Sequence, residues 1–224
     1  MILVYNCVTD PAAATRYEKN FLNKITSHKK IIFTGPGRAE KDMAGKDFSH
    51  LIISGSAASA LENNVWDGEL SSVIDDFFEA DKAILGICYG HQYLASWFIG
   101  KSCLSVMDKP EFGWNWVEIK PNPLFKGVSS GIFCHIHGDS VTRLPESCEL
   151  IAESDTGIQG FHYTGKKVFG VQFHPDYNYE EAKEVFERRS ASSPIIKEAY
   201  QNKTPGPNTD RDGMRILNNF VNMV

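Results

Sequence analysis

One cysteine in this chain stands in a setting unlike the other four. Ala83-Ile84-Leu85-Gly86-Ile87 is an apolar, strand-like run that leads into Cys88, and Tyr89-Gly90-His91-Gln92 then opens a helical stretch. A strand that turns abruptly into a helix at a cysteine, with a glycine two residues to either side, has the form of a nucleophile elbow. Small neighbours let the strained backbone present the reactive side chain. A thiol at a helix N-terminus also sees oriented amide dipoles that favour the thiolate. A sulfur nucleophile needs an acid/base partner, and Val168-Phe169-Gly170-Val171-Gln172-Phe173 is a second apolar strand, ending at His174, Pro175 and Asp176. A histidine fixed there, with a carboxylate two residues on, has one ring nitrogen to be oriented and the other free to work. The expected roles are Cys88 as nucleophile, His174 as general acid/base and Asp176 as orienter. Taken singly, Cys88 reads equally as a buried turn residue and His174 as a packed or capping histidine; their combination points to covalent catalysis.

The elements that must position these residues can be read from periodicity. Short β-branched runs alternate with amphipathic stretches, the pattern of strands and helices around a largely parallel sheet. Ile2–Val4, Ile31–Phe33, Leu51–Ile53 and Ala83–Ile87 are the expected central strands. Ala12–Ile25 places Ala13, Tyr17, Phe21 and Ile25 at fourth-residue spacing, and Trp66–Phe78 puts Leu70, Val73, Ile74 and Phe77 on one face, so both predict covering helices. From Cys103 onward the runs shorten: Leu104–Met107, Trp114–Ile119, Ile132–Ile136, Leu150–Glu153, Ile158–Tyr163 and Val168–Phe173, separated by turn residues. These predict hairpins and mixed strands added to the parallel sheet. A helix opened by a capping box of Asn178 and Glu181 runs through Glu180–Arg189, Ser190–Ser193 and Thr204–Asp210 interrupt it, and a last amphipathic helix covers Met214–Met223. Residues 1–224 are expected to form a single domain with a helical insertion at about 180–212.

At this point the residues resemble a known family, the class I, triad-type glutamine amidotransferases, and most closely the amidotransferase portion of GMP synthetases. The family's G-[IV]-C-x-G-x-Q matches Gly86 to Gln92, and its Q-F-H-P-E matches Gln172 to Pro175 with Asp176 in the last place. Pro123-Leu124-Phe125-Lys126-Gly127, His137-Gly138-Asp139-Ser140-Val141 and Leu217-Asn218-Asn219-Phe220 fit the same branch. The resemblance implies a flavodoxin-like three-layer α/β sandwich with a mostly parallel central sheet and an added small antiparallel sheet. It also implies hydrolysis of the L-glutamine side-chain amide through a γ-glutamyl thioester on Cys88, the ammonia passing to a separate synthase or acceptor subunit. By the same resemblance, Ile53-Ser54-Gly55-Ser56 occupies the place of an S-G-G-P oxyanion loop, so the amides of Gly55 and Tyr89 are expected to face the oxyanion, and Gln92 to position substrate.

The chain departs from the family in three places. Asp176 replaces a glutamate and shortens the reach to His174 by one methylene. Ser56 replaces the second loop glycine, and the following proline is absent. Residues 180–212 are extra, either a solvated excursion or a lid or partner surface. Two further readings of the function stand beside the amidotransferase one: a stand-alone hydrolase of γ-glutamyl conjugates, and a binding module that has kept the fold without the activity.

Composition bounds the rest. The chain has 224 residues, 42% hydrophobic and 23% charged, with a net charge of −5, which is ordinary for a globular protein. No basic cluster supplies the footprint of a nucleic-acid binder, and no apolar run approaches the ~18 residues of a membrane span. MILVYNCV lacks a basic leader and reads as a first strand, so the expected setting is cytoplasmic. Cys7, Cys88, Cys103, Cys134 and Cys148 are scattered, without the spacing of a disulfide framework or zinc site. His135 and His137 alternate along a strand without an accompanying third ligand, Trp114 and Trp116 read as core or pocket wall, and His91 reads as structural. Phe33-Thr34-Gly35-Pro36-Gly37 lacks the lysine of a phosphate loop. No metal or cofactor is expected.

Overall fold

The structure, a computed structural model, describes residues 1–38 and 47–223. The described strands join into one ten-stranded sheet. Its centre holds β1 (Ile2–Tyr5), β2 (Ile31–Thr34), β3 (His50–Ile53), β4 (Ala83–Ile87) and β9 (Val168–Val171), all parallel, in the order β9-β4-β3-β1-β2. Every residue of β1, β3, β4 and β9 is buried, as expected of parallel strands covered on both faces. Alternation along β1 divides the core in two. Ile2 and Val4 face α1 (Pro11–Leu22) and α6 (Thr209–Val221), while Leu3 and Tyr5 face α2 (Asp67–Glu79) and α3 (Tyr89–Ile99).

Beyond β9 the sheet continues antiparallel through β8 (Gly157–Tyr163), β7 (Cys148–Ser154) and β5 (Leu104–Ile119). β5 also pairs antiparallel with β6 (Gly131–Val141). The antiparallel part is therefore joined to the parallel part through β7 and β8. The runs Leu104–Met107 and Trp114–Ile119, expected as two strands, form the single strand β5. Its pairing with β6 shifts register between Val106 and Glu111, an irregularity that accommodates Pro110, which has no N–H to give a regular ladder.

Two helix boundaries also differ from expectation. α1 closes at Leu22, with Asn23 as C-cap, because Lys24 turns inward: its Nζ lies 2.6 Å from Glu181 Oε2. α6 begins at Thr209, five residues before Met214, where the Thr209 hydroxyl donates to the Ile132 carbonyl at 2.6 Å.

The 180–212 region packs on the antiparallel strands. α4 (Tyr179–Ser192) opens with the expected capping box, Asn178 accepting from the Glu181 amide at 2.9 Å and Glu181 accepting from the Asn178 amide at 3.0 Å. Ala182 and Phe186 are fully buried in a third core with Phe112, Trp114, Cys134 and Ile136. α5 (Pro194–Ala199) follows, and then the chain adds a short strand, β10 (Tyr200–Asn202), parallel to β5; the expectation of helix alone here was incomplete. Trp114 lies under α4, whereas Trp116, two residues along the same face, is 60% exposed.

Truncating a fully buried aromatic loses both transfer energy and packing. Phe186→Ala is expected to cost ~3–5 kcal/mol and Ile195→Ala, on the exposed side of α5, within ~0.5 kcal/mol, as read by urea denaturation.

Candidate active site

Cys88 occupies the one-residue turn between β4 and α3, at φ 52° and ψ −103°. A non-glycine residue with positive φ is uncommon and costs on the order of 1–3 kcal/mol, so the surroundings must hold it there. The Cys88 amide donates to the Val171 carbonyl at 2.9 Å, tying the turn to the adjacent strand, and the Cys88 carbonyl accepts from the Gln92 amide at 3.1 Å, starting α3. A β-carbon on Gly86 would lie 2.3 Å from the Gly90 carbonyl oxygen, and one on Gly90 would lie 2.4 Å from that of Ile53. Both glycines are thus required by the close approach of α3 to β3 and β4, as their spacing about Cys88 suggests.

His174 stands just past β9, its amide donating to the Cys134 carbonyl at 2.8 Å. Its ring stands beside Cys88, both bordering the space a β-carbon on Gly55 would fill, and the Cys88 sulfur contacts the Ile136 carbonyl at 3.7 Å. On the other side, His174 Nδ1 is 2.9 Å from Asp176 Oδ1. The shorter aspartate therefore reaches the histidine. Its second oxygen, Oδ2, accepts from the Tyr17 hydroxyl at 2.9 Å, so the carboxylate is held from both sides. Burial alone would lower the pKa of His174, but the neighbouring Cys88 sulfur and the Asp176 carboxylate outweigh it and raise it to about 10. For Asp176, burial pushes upward while His174 and the Tyr17 hydroxyl pull harder downward, leaving the carboxyl below its ordinary range. The sequence places Tyr17 only on the core-facing side of α1, and a tyrosine among Ala13, Phe21 and Ile25 carries no sign that its hydroxyl serves a carboxylate.

The Ser54–Ser56 loop lies against this pair. A β-carbon on Gly55 would meet His174 Cε1 at 2.8 Å and Cys88 Cβ at 3.5 Å. The Ser56 hydroxyl, in place of a second glycine, donates to the Cys7 carbonyl at 2.9 Å and accepts from the Ala58 amide at 3.1 Å. Ser54 Oγ accepts from the Cys7 amide at 2.9 Å. The loop is thereby stitched to the end of β1. The Tyr89 amide is in the first turn of α3, among the N–H groups a helix leaves without internal partners.

Gln92, expected to position substrate, lies in the first turns of α3 with its side chain turned inward. Its carboxamide is buried and donates to Gln172 Oε1 at 3.0 Å and to the Asp139 carbonyl at 2.9 Å, linking α3 to β6 and the end of β9. His91 is fully buried 5.1 Å from Phe161, and burial lowers its pKa to about 3, so it is neutral. All five cysteines are free.

A cleft of about 530 Å³ opens onto His174 and Asp176, lined also by Gly55 and Ile136 and walled by residues of α1 and α4. α4 contributes Glu184, Arg188 and Arg189 to it, and α1 contributes Arg16. The extra segment is thus a wall of the cleft, held against α1 by the Lys24–Glu181 ion pair. A second group overlooked in the sequence lies behind β6: Glu111 joins His135 and His137 as the third polar residue that the two histidines had lacked. Pairing of β5 with β6 sets Glu111 opposite His137, a juxtaposition that no local spacing reveals.

A cysteine held at a strained strand-to-helix turn, a histidine on the neighbouring strand and a carboxylate behind it, on a mostly parallel sheet covered by helices, define the class of α/β proteins built around a nucleophile elbow. Within it the chain belongs to the class I glutamine amidotransferase family, whose sequence profile, glutamine amidotransferase class-I, matches residues 15–191. The chain is 33% identical over 141 residues to the glutamine-hydrolyzing GMP synthase of Mesoplasma florum, covering 61% of this chain and 26% of that protein. It is also 33% identical over 129 residues to one subunit of the glutamine-hydrolyzing GMP synthase of Pyrococcus furiosus, covering 56% of this chain and 66% of that one. The matched stretch is thus about a quarter of the length of full GMP synthases such as the first. A crystal structure of a glutamine amidotransferase from Thermotoga maritima superposes with a TM-score of 0.69 at 20% identity, covering 98% of this chain and 95% of that one. A glutamine amidotransferase from Methylobacillus flagellatus gives 0.71 at 15% identity, covering 99% and 93%. At these identities the two structures share the fold.

Because His174 is raised above the ordinary histidine value, the stability that its charged form contributes is complete below pH ~6.5 and fades as pH rises toward about 10. In protein labelled with ¹⁵N-histidine, the His174 imidazolium signals are expected to persist into that alkaline range. Cys88→Ala and Asp176→Asn should each bring the transition to lower pH, by about one pH or more.

Proposed function

We propose that this protein hydrolyses the side-chain amide of L-glutamine, with Cys88 as nucleophile, His174 as general acid/base and Asp176 as the group that orients it. The observation that carries the reading is the array of Cys88 beside His174, and of His174 bonded to Asp176 and Asp176 to Tyr17, with the last three lining a cleft. The Cys88 sulfur attacks the amide carbon, and the oxygen becomes an oxyanion for which the amides of Gly55 and Tyr89 are the proposed donors. His174 gives its proton to the leaving nitrogen, the carbon–nitrogen bond breaks, and ammonia departs from a γ-glutamyl thioester. Water then attacks the thioester carbon, His174 takes up its proton, and the carbon–sulfur bond breaks to release glutamate. In this scheme Gln92 is the residue that positions the substrate, held by its hydrogen bonds to Gln172 and the Asp139 carbonyl.

The cleft carries Arg16, Arg188 and Arg189 together with Asp10 and Glu184. Both signs of charge suit the α-carboxylate and α-ammonium of an amino acid. The relatives are named as glutamine-hydrolyzing GMP synthases, and the Pyrococcus furiosus relative is one subunit of such a synthase. We infer that the ammonia made here goes to an acceptor carried by a partner of the same kind.

The test is release of glutamate and ammonia from L-glutamine by the purified protein. Cys88→Ala is expected to abolish it, and Asp176→Asn to lower kcat by ~10²–10⁴-fold with KM little changed. Because a cleft of about 530 Å³ exceeds what one amino acid fills, a γ-glutamyl dipeptide is the control substrate. Cys88-dependent cleavage of the dipeptide with no action on glutamine would overturn the glutaminase assignment.

A further inference from the structure

Behind the catalytic cleft, on the face of β6 opposite Ile136, three buried side chains aim polar atoms at one point. Glu111 Oε2 lies 2.9 Å from His137 Nε2 and 3.3 Å from His135 Nδ1. The two nitrogens are 3.3 Å apart. His135 and His137 share a face because strand side chains alternate, and Glu111 is the direct cross-strand partner of His137. Their exposures are 8% for Glu111, 0% for His135 and 5% for His137, so water does little to screen them.

Proton bookkeeping shows what the triangle needs. His137 Nδ1 is 3.0 Å from the Asp139 carbonyl oxygen; a carbonyl only accepts, so Nδ1 carries the proton. In the neutral ring Nε2 then presents a lone pair, facing the lone pairs of Glu111 Oε2 at 2.9 Å. A positive species must sit between them. One proton on Nε2 satisfies that pair, whereas a divalent cation satisfies all three atoms. The dimensions are close to those of a cation site: ligands bound at ~2.0–2.2 Å in a tetrahedron stand ~3.3–3.6 Å from one another, which the two 3.3 Å separations approach, and the 2.9 Å Glu111–His137 pair would open by about 0.5 Å to admit the ion.

Two of the three ligands are themselves oriented by hydrogen bonds, as in an outer shell, while His135 Nε2 is buried without a partner. His137 is fixed by the Asp139 carbonyl, and Glu111 Oε1 accepts from Asn115 Nδ2 at 3.1 Å. Gln159 is almost fully buried, with its Nε2 3.2 Å from Glu111 Oε2 and its Oε1 without a hydrogen-bond partner. The Nε2 also donates to Ser154 Oγ at 3.0 Å and Thr156 Oγ1 at 3.2 Å; a half-turn of the carboxamide would set its oxygen beside Glu111 as a fourth ligand, with the two hydroxyls donating to it. A separate surface cleft lined by Lys109, Glu111 and Asn115 gives the ion a way in that avoids the Cys88 pocket.

We propose that Glu111, His135 and His137 form a binding site for a divalent transition cation of the zinc type, clamping β5 to β6 behind the catalytic pair. The two nitrogen and one carboxylate donors suit zinc and exclude a calcium-like preference for oxygen alone. The clamp acts on position: β6 supplies the Ile136 carbonyl that meets the Cys88 sulfur and the Cys134 carbonyl that receives the His174 amide.

The experiment takes the full chain stripped of metal, titrated with Zn²⁺ against a chromophoric chelator and, separately, with Co²⁺ under visible spectroscopy. The expected result is one Zn²⁺ per chain in the wild type and in Cys88→Ser. Affinity should fall more than about tenfold in Glu111→Gln and His137→Ala. Wild-type protein with Co²⁺ should show the ligand-field bands of a four-coordinate ion without thiolate charge transfer, a readout that does not depend on any variant folding. Less than one tenth of an equivalent bound by the wild type would overturn the proposal. So would binding that is lost in Cys88→Ser and kept in Glu111→Gln, which would place the ion on the catalytic sulfur.

Discussion

The approach of α3 to β3 and β4 is the constraint on which the rest of the site depends. Gly86 and Gly90 leave room for backbone alone, at distances where a single methyl group would collide with a carbonyl oxygen. That closeness makes the turn at Cys88 so short that its residue takes a positive φ, and the strain is held by hydrogen bonds to β9 and to the first turn of α3. The placement of the site follows from this geometry. Cys88 stands at the end of β4, where the adjacent strand β9 delivers His174.

Much of this arrangement is legible in the sequence, for reasons that differ by element. β1, β3 and β4 are plain because parallel strands covered on both faces must be apolar throughout. Cys88, His174 and Asp176 can be picked out because a strained turn needs glycines at fixed offsets and an orienting carboxylate needs a short tether to its histidine. Tyr17 cannot be picked out, since its ring packs as its helical spacing suggests while only its hydroxyl serves Asp176. Glu111 is invisible because what matters is its cross-strand partner, and register between β5 and β6 is a tertiary fact. The break around Pro110 reads as an end of a strand; only the pairing shows that the strand continues past it.

α4 illustrates how an added segment acquires a role through packing. Its sequence is highly charged, and a solvated excursion is a reasonable expectation for it. Two buried residues, Ala182 and Phe186, are enough to lay it on Phe112 and Trp114, and the capping glutamate doubles as the partner of Lys24. Glu181 thus starts the helix and fixes its distance from α1, so the width of the cleft is set by one side chain working in two directions.

The order of strands in the sheet also sets when Cys88 and His174 can meet. β4 is complete at residue 87, yet its neighbour β9 does not appear until residues 168–171, after the chain has passed through β5, β6, β7 and β8. Until then β4 has one open edge, and the thiol at its end has no histidine beside it. Contacts between segments so distant in sequence form late in folding, and in a chain made from its N-terminus they wait on synthesis as well. The meeting of Cys88 with His174 is thereby a report that the sheet has closed, and a partly folded chain carries the sulfur without the histidine.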